Sequence, residues 1–392
     1  MFIFFCFVNN KHEKLFINEN NFLMERGRNM SNYNAFDPFS VCFNIMKMKY
    51  SAYDESLSSK NFLNPYDKVN VFINLESVYK NLSMIMDIEK KIIITRDFED
   101  IIISNILNLA AHYKRFFVDN GLDTKVYLYN TDFSSDEFDQ FKYNEEYRSY
   151  YLLKFTQNPK FVLLTEKLQG TILPDVKTFC EFIPNIYYIS AKNIEGSLVP
   201  YIISQSDPTR KNLIVGGEFF DTQYSNIPNF VNHYIYRTFN TNVIYSSTES
   251  YIKGIMKTTT LDNDFASIFH NYSMYCTIMS VLGNRERSIE KLMGIGPKTL
   301  VKNLELGLEN DVIKTNTSSP EIICEIFEDK DTQDEFINNF YCSSVLSMYD
   351  ELTLAEKTSI MNQINDRVDK ETIQKINATK FRNHPLYLDG LL

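Results

Sequence analysis

Apolar strand-like runs alternate with helical stretches along residues 69–245, and this alternation constrains the fold more than any other feature of the sequence. Strands are predicted at residues 69–73, 125–130, 186–189, 212–215 and 242–245, and helices at 76–86, 97–120, 136–155 and 198–203. Strands that alternate with helices form a mostly parallel sheet with helices on both faces. We therefore predict an α/β fold, with a mostly parallel central sheet flanked by helices.

The strand signal ends near residue 267, and the sequence to about residue 379 is typical of helices alone. We therefore predict an α/β domain at residues 30–260, a second region at 261–310 and a helical C-terminal region at 311–392. Residues 1–29 are interpreted as an N-terminal extension. Alternatively Met30 is the native start, because codons for Arg26-Gly27-Arg28 resemble a bacterial ribosome-binding site.

Charge and cysteine usage exclude several classes of function. With 40 basic and 50 acidic side chains the net charge is −10, so any contact with nucleic acid must be local. The six cysteines form no CxxC pair and the five histidines form no HExxH motif, which argues against a zinc knuckle or a disulfide scaffold. The apolar run at residues 1–8 is too short to span a bilayer, so we expect no membrane role and a cytoplasmic location.

A glycine motif lies between two predicted helices, at residues 285–292 and 297–306. It reads Gly294-Ile295-Gly296-Pro297-Lys298-Thr299. The glycines permit a tight turn, Pro297 suits the first position of the second helix, and outward-facing N–H groups there are able to bind a phosphate oxygen. Residues 284–302 hold five basic and two acidic side chains in an otherwise acidic chain. The motif predicts backbone binding to DNA, and the alternative is a plain helical turn.

This motif and its spacing resemble the 5′-nuclease superfamily, which includes flap endonucleases, phage 5′-3′ exonucleases and the nuclease domain of bacterial DNA polymerase I. The family places a GDxSDN motif before a GIGPKT helix-hairpin-helix. In this chain Gly283-Asn284-Arg285-Glu286-Arg287-Ser288 begins eleven residues before Gly294. The resemblance implies a nuclease-like α/β domain followed by a helix-hairpin-helix that binds DNA.

Upstream segments follow the family order from about residue 69. Val71-Phe72-Ile73-Asn74 resembles the first strand, and Leu213-Ile214-Val215-Gly216-Gly217-Glu218 resembles the IVSGDKD segment. Phe141-Lys142-Tyr143-Asn144, with Arg148 after it, is similar to a YKxNR stretch that contacts substrate. The resemblance implies DNA contacts for Lys142 and Arg148, whereas Glu145 and Glu146 beside them favour a solvated charged helix instead.

The chain departs from the family at the acids that hold paired divalent ions. Such ions need anionic oxygen ligands. The corresponding positions hold Asn74, Asn130, Ile194, Gly196, Ser197, Glu218, Phe220, Asn284 and Arg287. Glu218 alone keeps a negative charge, so we predict no metal cofactor and no cleavage. Four acids lie within two residues of family positions and offer an alternative, rebuilt site: Glu76, Asp132, Glu195 and Asp221.

The predicted function is sequence-nonspecific, structure-selective binding to the backbone of duplex or branched DNA by an inactive relative of the 5′-nucleases. The chain has 31 Phe, 25 Tyr and no Trp, a residue usage typical of an AT-rich genome, and this favours a phage origin. The protein would then be located in the cytoplasm of an infected cell or in a virion. The first alternative is an active Mg²⁺- or Mn²⁺-dependent 5′-3′ exonuclease or flap endonuclease that uses Glu218. The second is an adaptor that binds a protein partner through the helical C-terminal region.

Overall fold

The structure is a computed structural model. It describes residues 68–75, 96–119, 121–132, 168–192, 194–216, 219–237, 242–245, 272–283, 289–314 and 316–365. The predicted helices at 76–86 and 136–155 lie outside the described residues, as do Lys142, Arg148 and Glu218.

A six-stranded sheet forms the centre of the first half of the chain. Its strands are β1 (Lys68–Asn74), β2 (Asp123–Asp132), β3 (Ile186–Lys192), β4 (Lys211–Gly216), β5 (Phe230–Arg237) and β6 (Asn242–Tyr245). They lie in the order β3-β2-β1-β4-β5-β6, and every neighbouring pair is parallel except β5 with β6. The predicted mostly parallel sheet is confirmed.

Helices cover the sheet because its central strands are apolar on both faces. The helices of this half are α1 (Arg96–Asp119), α2 (Leu173–Phe182) and α3 (Val199–Ser204). In β1 the side chains from Val69 to Asn74 are all buried. Phe72 and Ile214 belong to one buried cluster with Leu198 and Ile202, while α1 contacts β1 and β2. The predicted flanking helices are therefore also confirmed.

The strand register brings the carboxyl ends of four strands to one edge. Asn74 of β1 is opposite Tyr129 of β2, and Asn130 is opposite Ser190 of β3. On the other side of β1, Ile73 is opposite Val215 of β4. Ligands of open parallel sheets bind beyond this edge, so the segments that follow these strands carry the candidate site.

The described residues after position 271 form helices joined by short turns. These helices are α4 (Tyr272–Leu282), α5 (Pro297–Glu309), α6 (Pro320–Ile323), α7 (Lys330–Ser343), α8 (Val345–Asp350) and α9 (Leu354–Asn365). Helices α4 to α7 share a second buried cluster centred on Met274, Leu300 and Phe336. Val345, Leu352 and Ile360 instead pack in the cluster of the sheet. None of the described helices is long and apolar enough to cross a membrane.

A side chain of α9 binds the backbone of β3, the strand at one end of the sheet. The Gln363 Oε1 atom accepts from the Ser190 N–H (2.9 Å), and its Nε2 donates to the Ser190 carbonyl (3.0 Å). The amide group of Gln363 thus takes the place of one peptide unit of a neighbouring strand.

Helix α2 and strand β5 were not predicted from the sequence. Helix α2 has Pro174 in its first turn and buried Val176, Phe179 and Cys180 at helical spacing. Strand β5 is rich in aromatic and β-branched residues, with the sequence FVNHYIYR. Both signals are present in the sequence.

Candidate functional site

Polar side chains from four segments meet beyond the carboxyl ends of β1 to β4. We call them the strand-end cluster, and define it as Asn74, Thr131, Glu195, Gly196, Ser197, Asp221 and Tyr224. Residues 195–197 follow β3, and Asp221 and Tyr224 lie on a 3-10 helix (Phe219–Asn226) that follows β4. Of the segments that the family resemblance assigned to the metal site, the described ones after β1, β3 and β4 are therefore close together in space.

Hydrogen bonds within the strand-end cluster engage both of its acids. The Asn74 Nδ2 atom donates to Asp221 Oδ2 (3.2 Å), and the Ser197 hydroxyl donates to Glu195 Oε1 (2.5 Å). The Tyr224 hydroxyl donates to the Ser197 carbonyl (2.5 Å), which joins the segments after β3 and β4. Burial raises the Tyr224 pKa far above its ordinary value, so the hydroxyl keeps its proton and remains a donor.

Gly196 stands where the family has an acid, and the structure leaves no room there for a side chain. A Cβ atom on Gly196 would lie 2.8 Å from the Thr131 backbone nitrogen and 2.9 Å from Thr131 Oγ1. The Gly196 N–H donates to the same Oγ1 atom (3.0 Å). Thr131 therefore fills the space that a carboxylate at position 196 would need.

The described part of the strand-end cluster does not fit a pair of divalent ions. Such a pair needs several anionic oxygens around one open position. Of the acids whose side chains the structure describes, only Glu195 and Asp221 are buried, and one oxygen of each accepts a hydrogen bond from a neighbouring side chain. No three His, Cys, Asp or Glu side chains form a possible metal site anywhere in the described ranges.

The remaining family positions are divided between the core and residues that the structure does not describe. Ile194 is fully buried in the apolar cluster of the sheet. Asn130 is buried at the end of β2, where its Nδ2 atom donates to the Thr131 carbonyl (2.9 Å). Glu218, Asn284 and Arg287 lie outside the described residues, as does the side chain of Phe220. Asp132 lies at the end of β2 and is half-buried, beside α9.

The glycine motif lies in a turn, residues 291–299, that we call the glycine turn. Gly294 has a φ of +74°, a left-handed conformation that favours glycine, and Gly296 precedes α5, which starts at Pro297. The Lys298 and Thr299 N–H groups lie in the first turn of α5, where no carbonyl of the same helix is available to accept from them. Both side chains are exposed.

Three exposed lysines surround the glycine turn. They are Lys291, Lys298 and Lys302, and no acidic residue occurs among residues 291–304. Ile295 differs from them, because its side chain packs against the helical core and its N–H donates to the Leu292 carbonyl (3.3 Å). Ile295 therefore holds the turn in place from the core side, while the lysines give it a positive outer surface.

The prediction of a helix at residues 285–292 is wrong for residues 289–292, the part that the structure describes. Residues 289–292 are not helical, and 285–288 lie outside the described residues. The Leu292 N–H donates to the Val281 carbonyl of α4 (3.1 Å), and Asn339 Nδ2 of α7 donates to the Glu290 carbonyl (3.3 Å). These long-range bonds use backbone groups that a helix would pair internally. The helix before the turn is instead α4, which ends at Leu282.

A polar junction connects the strand-end cluster to the helical half, and the sequence analysis missed it. Gln223, on the same 3-10 helix as Asp221, accepts at Oε1 from the Tyr272 hydroxyl (2.7 Å) and from the Val345 N–H (2.8 Å). The Tyr272 hydroxyl in turn accepts from the Leu346 N–H (3.0 Å). The two partners of Gln223 lie 49 and 122 residues away in the sequence, so no local pattern indicates these bonds.

Comparison with known proteins gave structural neighbours but no relatives in sequence. No family model and no curated protein matches the chain. A bacteriophage T5 protein crystallised with metal ions is 11% identical, with a TM-score of 0.47 over 78% of this chain and 99% of its own. A T5 flap endonuclease in a product complex with DNA and metal ions is 12% identical, with a TM-score of 0.45 over 76% of this chain and 99% of its own.

A third neighbour is the T5 5′-exonuclease with bound zinc, 11% identical, with a TM-score of 0.45 over 76% of this chain and 100% of its own. The assignment of this chain to the α/β class comes from the order and direction of its own strands.

Proposed function

We propose that the protein binds the sugar-phosphate backbone of duplex or branched DNA without cutting it and without reading base sequence. The observation that carries the proposal is the glycine turn, where three exposed lysines occur in a stretch free of acids. Lysine side chains neutralise phosphates irrespective of the bases between them. The outward N–H groups of Lys298 and Thr299 offer further donors to one phosphate oxygen.

The strand-end cluster supports the second half of the proposal, that binding occurs without cleavage. A carboxylate at position 196 has no space, and the two buried acids are held by Asn74 and Ser197. A cluster with fewer free carboxylates than the family's metal site also repels a DNA phosphate less. We therefore propose an inactive member of the 5′-nuclease family, of phage origin, that needs no metal cofactor.

The proposal is tested by removing the lysines of the glycine turn. The double variant Lys298→Ala/Lys302→Ala should bind a fluorescein-labelled duplex more weakly by about 1–3 kcal/mol, the range for losing charge-assisted hydrogen bonds. Fluorescence anisotropy at fixed salt measures the affinity. The matched control is Lys177→Ala/Lys330→Ala, which removes two exposed lysines from α2 and α7 and should leave the affinity unchanged.

Two results would contradict the proposal, one concerning DNA binding and the other concerning the absence of cleavage. If the unmodified protein binds neither duplex nor branched DNA, the DNA-binding role is wrong and an adaptor role is favoured. If labelled flap DNA is cut in the presence of Mn²⁺, and Glu218→Ala abolishes the cutting, the protein is an active nuclease.

A further inference from the structure

Met293 has the most exposed large apolar side chain among the described residues, at 89% of its full accessibility. It lies in the glycine turn, where it follows the fully buried Leu292 and precedes the exposed Gly294. The nearest charged residues before and after it in the sequence are Lys291 and Lys298, and both are exposed. A large apolar side chain is thus exposed to water on a turn that carries positive charge.

The backbone on both sides of Met293 is fixed to the protein core. The Leu292 N–H donates to the Val281 carbonyl (3.1 Å), and the Leu292 carbonyl accepts from the Ile295 N–H (3.3 Å). The Leu292 side chain is buried in the cluster of the helical half. A binding partner therefore meets Met293 on an anchored turn, so little backbone ordering is needed on binding.

Among the described residues, none crowds the two glycines of the turn. A Cβ atom on Gly294 or on Gly296 would meet no atom within 4 Å. A large ligand is therefore able to approach the turn closely on this side. The charge of Lys291, Lys298 and Lys302 makes a polyanion the complementary partner.

We infer that Met293 inserts at an interrupted base step of bound DNA and gives the protein a preference for gapped over continuous duplex. This rests on the proposed function, because the lysines must first hold the phosphates. Apolar side chains, methionine among them, enter between base steps of DNA that basic residues hold. Unstacking costs least where the stack is already broken, so the insertion favours DNA with an interruption.

The experiment compares the affinities of one protein for two duplexes of the same sequence, one continuous and one with a single-nucleotide gap. Met293→Ala should lower the affinity for the gapped duplex about tenfold, since burying a methionine side chain stabilises by roughly the free energy of that change. The affinity for the continuous duplex should stay the same. A 2-aminopurine base beside the gap should brighten when the unmodified protein binds, and not when Met293→Ala binds.

Two further variants serve as controls. Met293→Leu keeps a large apolar side chain and should retain the preference for the gapped duplex. Leu354→Ala removes the side chain that is 80% exposed at the start of α9, outside the glycine turn, and should change neither affinity. Because Met293 is almost fully exposed, its replacement leaves the core intact.

The outcomes separate this inference from the proposed function. If Met293→Ala keeps the same ratio of gapped to continuous affinity while Lys298→Ala/Lys302→Ala weakens both, the role of Met293 is wrong and the DNA-binding function stands. If the unmodified protein binds neither duplex, the proposed function fails and the inference fails with it.

Discussion

Gly196 stands at a point of the strand-end cluster where the backbone of another segment comes too close for a side chain. Its neighbour there is Thr131, whose backbone nitrogen would lie 2.8 Å from an added Cβ. Backbone atoms of a central strand do not move aside easily, in contrast to the end of a flexible side chain.

Gly196→Ala should therefore lower the free energy of unfolding by about 1–3 kcal/mol, the usual cost of overpacking. Urea denaturation followed by circular dichroism measures the change. Gly170→Ala is the matched control, because a Cβ on Gly170 meets nothing within 4 Å and should have little effect. Equal stability of Gly196→Ala and the unmodified protein would show that the segment after β3 yields easily.

The sequence predicted which family acids are absent from the strand-end cluster, but not which residues occupy their space. Spacing and resemblance identified Asn74, Gly196 and Ser197 at positions where the family has acids. The contact of Gly196 with Thr131 joins residues 65 positions apart, and no local pattern reports such a contact. The acids that surround the site, Glu195 and Asp221, were identified from their proximity in sequence alone.

The 3-10 helix at Phe219–Asn226 is one of the described elements that join the two halves of the protein. Asp221 and Tyr224 face the strand-end cluster, while Gln223 accepts hydrogen bonds from the Tyr272 hydroxyl and the Val345 N–H. Val345 lies at the start of α8, and Tyr272 at the start of α4. This short helix therefore contributes to the contact between the helical half and the sheet, together with the packing of α8 and α9.

Gln223→Ala should destabilise the protein by about 1–3 kcal/mol, because the buried Val345 N–H loses its acceptor. The thermal unfolding midpoint should fall in consequence. Gln205→Ala is the control, since Gln205 is exposed and its Nε2 atom makes a single bond, to Ser204 Oγ at 3.3 Å. If both variants unfold at the same temperature, the junction contributes nothing to the contact between the halves.

Most of the elements were predictable because their patterns are local. The predicted strand at residues 242–245 coincides with β6, and the predicted helix at 97–120 is α1 within one residue at either end. The helix predicted at 285–292 is wrong over 289–292 because bonds to α4 and α7 decide the path of the chain there. Apolar periodicity does not distinguish such a tertiary constraint from a helix.

The distribution of charge over the whole molecule restricts where DNA is able to lie. The net charge is −10, and α7 with the turn before it carries exposed acids, among them Glu328, Asp331, Asp334 and Glu335. The glycine turn has positive charge at the opposite end of α5 from Glu309. If DNA binds at the turn as proposed, these exposed acids repel it, so we expect the contact to be small.

The salt dependence of binding should reflect this small contact. Each phosphate neutralised on a duplex lowers the slope of log affinity against log salt by about 0.9, so three lysines predict a slope of about −3. Lys302→Ala should reduce its magnitude by about 0.9, whereas Lys330→Ala should not change it. Anisotropy titrations at several salt concentrations give the slope. A value independent of Lys302 would place the DNA elsewhere on the molecule.

The bond between Gln363 and Ser190 has a consequence for how copies of this protein behave together. A strand at the end of a sheet invites pairing with a strand of a second molecule, which leads to aggregation. On β3 the side-chain amide of α9 occupies the backbone groups of Ser190 in the middle of the strand. Helix α9 thus protects the edge strand β3 from pairing with another molecule. A truncated chain that ends before α9 would be prone to self-association through β3.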